Sequence, residues 1–215
     1  MLLLFVVQPF FEGHWLATSL LNIFMSGILL ASVYAISNTK RDLFVACILA
    51  FPALLGRWFS HFASHPLIFF ASSVLIFLFL LFAVQIILRH AVKARRVTAD
   101  TISAALCAYL LIGLIWAILY TFMEFLHPGS FTLPPGPSFS TTEDWLLYFH
   151  FPRFVYYSFV TLTSTGFGDI TPLAGPARSF SMLEAIIGQF YLAVLISRLV
   201  GLHIVHSLEE RASSK

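Results

Sequence analysis

From Pro66 to Leu88 the chain carries no formal charge, and Arg89 closes the run. A helix that crosses the hydrocarbon core of a bilayer needs about 20 mainly apolar residues, and this stretch has that length. Five such runs follow one another: Trp15–Ile36, Asp42–Phe59, Pro66–Arg89, Thr101–His127 and Ala177–Val205. Four meet the requirement with room to spare and one falls just short. The opening stretch Met1–Phe11 is half a span, which we read as a clipped sixth helix or a segment dipping partway into the bilayer. It has neither a preceding Lys or Arg nor a small-residue cleavage site, which argues against a secretory signal peptide.

Composition agrees. The chain is 59% hydrophobic and 10% charged, against about 45–50% and 25% in soluble domains. A water-soluble fold of this size has no way to bury so much apolar surface, so its solvent is lipid. A net charge of +2 and the lack of a basic, aromatic-studded patch argue against nucleic acid as a partner. Cys47 and Cys107 sit inside apolar runs and read as helix-packing residues rather than a disulfide or metal ligands. The eight histidines show no tight metal-ligand spacing.

Counting basic residues on alternate sides of the runs places nine on one side: Lys40, Arg41, Arg89, Lys93, Arg95, Arg96, Arg198, Arg211 and Lys215. Three, Arg57, Arg153 and Arg178, fall on the other. The excess marks the cytoplasmic side, so the C-terminus is expected inside and Pro128–Thr171 outside.

That outer segment changes character along its length. Pro128-Gly129-Ser130 to Pro134-Pro135-Gly136-Pro137-Ser138 reads as exposed turns. Trp145–Leu162 is apolar and aromatic, but short and interrupted by Pro152. Proline suits the first turn of a helix, where its missing N–H is no loss. The pattern predicts a half-helix over Pro152–Thr163 that enters from outside and stops at mid-depth. The chain must then return as irregular backbone, tolerated in a membrane only where it is buried in protein or lines water.

The returning segment reads Thr161-Leu162-Thr163-Ser164-Thr165-Gly166-Phe167-Gly168-Asp169-Ile170-Thr171-Pro172. It resembles the signature of the potassium-channel pore family, commonly Thr-Val-Gly-Tyr-Gly-Asp after a Thr-rich pore helix. Backbone carbonyls that replace the water around a cation must point one way in succession, and alternating glycines permit the positive φ this needs. The resemblance covers about Ala99–Val205. It implies a selectivity filter made of Ser164, Thr165, Gly166, Phe167 and Gly168, with Asp169 at the outer mouth. The half-helix would point its negative C-terminal end at the pore centre.

Three positions depart from the family pattern. Ser164 stands for Thr and keeps the hydroxyl. Thr165 stands for Val, so a hydroxyl behind the filter needs a partner. Phe167 stands for Tyr and loses a phenol that anchors the wall in relatives; Tyr156 and Tyr157 fall where relatives place an aromatic cuff and are expected to support it. Glu124 matches an acidic position that braces the outer mouth, or else is a carboxylate reaching the interface. Gly188 falls where the inner helix of relatives hinges, or else permits close packing. Glu184 and Gln189 are expected to face protein neighbours or an aqueous vestibule.

The reading is therefore an all-α membrane protein: five full transmembrane helices, a partial N-terminal one and a re-entrant pore helix. Residues 1–97 form an N-terminal scaffold, 98–207 the pore module and 208–215 a short cytoplasmic tail. The resemblance implies a homotetrameric potassium channel in the plasma membrane, not an enzyme, with lipid around it, potassium ions as permeant ligand and no other cofactor. A weakly selective cation channel of the same architecture is the alternative. The scaffold lacks the repeated arginines of a voltage sensor: Arg89 lies at the cytoplasmic edge, and Arg57 has no companion at three-residue spacing.

Overall fold

The computed structural model describes residues 23, 26–27, 40–60, 66–93, 98–133 and 151–213. The opening stretch, nearly all of the run Trp15–Ile36, the connection containing His61 and His65, and the Pro-rich loop beyond Leu133 lie outside the described residues.

Four long helices and one short one carry the fold: α1 (Lys40–Ser60), α2 (Pro66–Lys93), α3 (Ala99–Leu126), α4 (Phe151–Leu162) and α5 (Gly175–Ser213). Their starts follow local rules. Pro66 opens α2 and Pro152 falls in the first turn of α4, both where a missing N–H costs nothing. Thr98 caps α3 from an extended backbone, accepting from the Thr101 amide at 3.2 Å. The expected boundaries hold to within two residues for α3, α4 and the start of α5. At its other end α5 runs past Val205 to Ser213, because Leu208, Glu209, Glu210 and Arg211 are good helix formers and nothing breaks the helix where it leaves the apolar run.

Among the described residues, three helices are long and apolar enough to cross a membrane, over Phe70–Arg89, Asp100–Leu126 and Gly175–Arg198. The protein is an all-α, multi-pass membrane protein. Helix α1 is as long as a span but begins Lys-Arg-Asp and contains Pro52 and Arg57, which lowers its apolarity.

Packing is sequential: α1 lies on α2, α2 on α3, α3 on α4, and α5 on both α3 and α4. On α1 the buried positions Ala46, Ala50 and Ala53 recur at helical spacing. Their small side chains let α2 approach closely through Ile76, Phe79, Leu80 and Ala83. Where α3 meets α4, Tyr120, Phe131, Phe154 and Tyr157 form one aromatic cluster. Its ring centroids lie 4.9 to 6.3 Å apart, mostly edge to face. A two-residue antiparallel pairing, β1 (Phe131–Thr132) with β2 (Thr171–Pro172), joins the end of α3 to the segment leaving α4. The Ser130 carbonyl accepts from the Leu173 and Ala174 amides at 2.8 and 3.2 Å, reinforcing this clasp.

Candidate functional site

The segment after α4 has the backbone expected of it. Ser164, Gly166 and Gly168 have φ of 57°, 60° and 82°, while Thr165 and Phe167 between them do not enter the positive-φ region. Alternating hand at every second residue turns successive carbonyls to a common side. Glycine accepts such angles without penalty, whereas at Ser164 the surrounding structure must hold them. A Cβ added at Gly166 or Gly168 would meet nothing within 4 Å, so these glycines are required by conformation and not by crowding.

The start of the segment folds over the end of α4. The Thr163 amide donates to Phe159, Ser164 to Thr161, and Thr165 to Val160, so carbonyls of the last turn are used locally. Thr165 finds the partner its hydroxyl needs in Thr163, with the two Oγ1 atoms 2.8 Å apart. The sequence named the need but not the partner, although the period-two spacing within a Thr-rich stretch carries the hint.

Tyr156 and Tyr157 act in different directions. Tyr156 stacks on Phe167, and its phenol faces the Asp169 side chain. Burial first, then the facing Asp169 carboxylate, pushes the Tyr156 phenol above its usual value of 10.0. Tyr157 turns the other way, its hydroxyl 2.6 Å from Ser181 Oγ on α5. One tyrosine thus contacts the Ser164–Gly168 segment and the other ties α4 to α5.

Behind α4 lies a polar knot that sequence reasoning did not assemble. Tyr120 on α3 donates to Glu184 Oε2 at 2.5 Å. Ser158 on α4 sits 2.5 Å from Glu184 Oε1 and donates to the Gly113 carbonyl at 2.7 Å. Glu184 is fully buried, so three helices meet on one carboxyl group. The expectation of a protein-facing Glu184 holds, and its partners had a faint signal as polar residues within apolar runs.

Leu162, the last residue of α4, is held from both sides. Tyr109 on α3 donates to its carbonyl at 3.3 Å. From α5, a Cβ built on Gly188 would stand 2.0 Å from the same oxygen. The close-packing requirement at Gly188 is therefore present in the structure, within a continuous helix. Its neighbour Gln189 donates from Nε2 to Ser164 Oγ at 3.0 Å.

Glu124 does not reach out to an interface. It is buried and accepts from the Gly129 amide at 2.8 Å and the Phe131 amide at 3.2 Å. It fixes the turn that leads from α3 into the β1–β2 clasp.

A family model described as "Ion channel" matches residues 104–202. That range runs from within α3 through the whole site into α5. Two pore potassium channel c of Oryza sativa subsp. japonica is 34% identical over 96 residues, 45% of this chain and 17% of that protein's length. Protein LctB of Bacillus caldotenax is 31% identical over 105 residues, 49% of this chain and 74% of that protein. The chain thus spans under a fifth of the plant relative and about three quarters of the bacterial one. No solved structure matches.

Proposed function

Because this chain belongs to the ion-channel family, we propose that it forms the pore of a potassium channel. Four copies close around one axis, and residues 164–168 of each line a quarter of the filter. The observation carrying this reading is the alternation of backbone hand at Ser164, Gly166 and Gly168, at the end of a half-helix and before a spanning helix. Carbonyls turned to one side can strip water from a cation only when a ring of them surrounds it. One segment per chain calls for rotational symmetry. The Oryza sativa relative is named a potassium channel, which supports potassium as the ion.

The surface of α5 supports the oligomer. Only 17% of its spanning window is buried within the protomer, against 56% for α3, and Ile186, Phe190 and Val194 are exposed along it. Lipid covers part of such a surface and neighbouring copies the rest. In this arrangement α1 also crosses the bilayer, and the basic excess keeps the C-terminus cytoplasmic at the plasma membrane. Asp169 and Glu124 lie toward the outer mouth. Gly188 serves the pore through its contact with Leu162, and is also the position from which the inner helix would bend.

The test is a reversal-potential measurement on purified protein in a planar bilayer with potassium on one side and sodium on the other. A potential far from zero, in the direction of potassium permeation, is expected. A value near zero establishes the weakly selective alternative. Native mass measurement in detergent should give a tetramer, and a stable dimer without tetramer overturns the assembly.

A further inference from the structure

We infer that Gln189 sets the cation affinity of the innermost filter ring by anchoring the hydroxyl of Ser164. The inference rests on the pore reading above and assigns a positioning residue within it.

Ser164 opens the alternating segment, at φ 57°, and in the pore reading its hydroxyl is the innermost oxygen of the filter itself. A threonine there would be stiff about χ1 because it is β-branched. Serine lacks the second substituent and rotates among three staggered wells, so its hydroxyl needs an external hold to stay aimed at the axis. Gln189 supplies it: its Nε2 donates to Ser164 Oγ at 3.0 Å, across 25 positions of sequence. That bond uses one of the two hydroxyl lone pairs and leaves the other for a cation.

The carboxamide is itself well placed. Gly188, one residue before it, lies so close to the Leu162 carbonyl that a Cβ would stand 2.0 Å away. Helix α5 is therefore pressed against the end of α4, two residues before Ser164, and Gln189 has little room to drift. Gln189 is exposed in the protomer. A carboxamide is costly against lipid but not against the water beneath a filter, so the same contact fits the inner vestibule.

Barium added on the cytoplasmic side of the reconstituted channel is the probe, since it approximates potassium in size and carries twice the charge. Gln189→Met keeps the length of the side chain and removes the donor. Gln189→Ala, at an exposed helical position, is the second variant. Loss of a neutral hydrogen bond of this kind should weaken barium block about three- to tenfold. Adding Ser164→Thr to Gln189→Met should restore the block, because threonine holds its own hydroxyl. Unchanged block in both single variants overturns the inference, and so does a weakened block that threonine fails to restore. Absence of selective current from the unaltered channel would instead overturn the pore reading, so the two failures are distinct.

Discussion

Tyr156 lies flat against Phe167, their ring centroids 6.4 Å apart and their planes 4° from parallel, while its phenol reaches Asp169. The hydroxyl missing from position 167 is thereby present one layer behind, on the half-helix. Tyr156→Phe keeps the stack and removes only the phenol that faces Asp169. Because the ring is partly exposed, that interaction counts at the modest end, about 0.5–1.5 kcal/mol. We expect mean open time to fall roughly three- to tenfold in single-channel records, and further in Tyr156→Leu, which loses the stack as well. Equal open times in the unaltered channel and Tyr156→Phe would deny the contact a role.

The same contact has a pH signature. A phenol raised above 10.0 keeps its proton at every lower pH, so its interaction with Asp169 is fully present below that value and lost only as pH climbs above it. The difference between the unaltered channel and Tyr156→Phe should therefore be flat from about pH 6 to 9. A difference that fades within that window would contradict the assignment.

Gly188→Ala should act on the filter through Leu162. Its added Cβ meets backbone, the Leu162 carbonyl, so no trimming of a neighbouring side chain relieves the clash. Overpacking of this kind costs typically 1–3 kcal/mol, and we expect a lower melting temperature of the assembled protein and altered conduction. Gly113→Ala is the control: there the Cβ meets the Phe159 ring at 2.6 Å, so adding Phe159→Leu should recover stability. Recovery of Gly188→Ala by a side-chain substitution would show that the backbone contact is not what limits it.

Glu184 offers a test by proton counting. Ser158 has one hydroxyl proton but two acceptors facing it, the Gly113 carbonyl and Glu184 Oε1. With Tyr120 donating to Oε2, a proton on Glu184 donating to Ser158 satisfies every group. A carboxamide can make the same pattern, so Glu184→Gln should assemble and conduct. Glu184→Ala leaves the buried Tyr120 hydroxyl unpaired, at about 1–3 kcal/mol, and should lower thermal stability markedly. A protonated-carboxyl infrared band absent from Glu184→Gln would complete the case. Equal stability of the Ala and Gln variants would refute it.

Voltage should move this channel only gently. One charge crossing the whole field is worth roughly 2.3 kcal/mol per 100 mV, and steep gating uses about 3–4 charges per subunit. Helix α2 has no basic residue before Arg89, near its C-terminal end. A shallow conductance–voltage relation is expected. A steep one that flattens on neutralising Arg89 would show that α2 carries gating charge.

What the sequence determined by itself was whatever depends on local, one-dimensional properties. Apolar length marked α2, α3 and α5. Pro152 and the shortness of its run marked the half-helix. The need for positive φ pointed to Gly166 and Gly168, and the family resemblance put Tyr156 and Tyr157 beside this segment, without saying which of them meets Phe167. The tertiary structure decided which polar group faces which. Sequence left Glu124 between an interfacial carboxylate and a brace of the outer mouth, and the structure buries it as the acceptor for the Gly129 and Phe131 amides in the turn after α3. It left Gly188 between a hinge and a packing contact, and the Leu162 carbonyl supplies the contact. It could not join Glu184 to Tyr120, 64 positions away, or Gln189 to Ser164. The rotation of a helix about its axis, and the depth at which it crosses its neighbour, are set by side chains from distant segments packing together. A shift of one residue along α5 would separate each of these pairs, and no local property of the chain records that register.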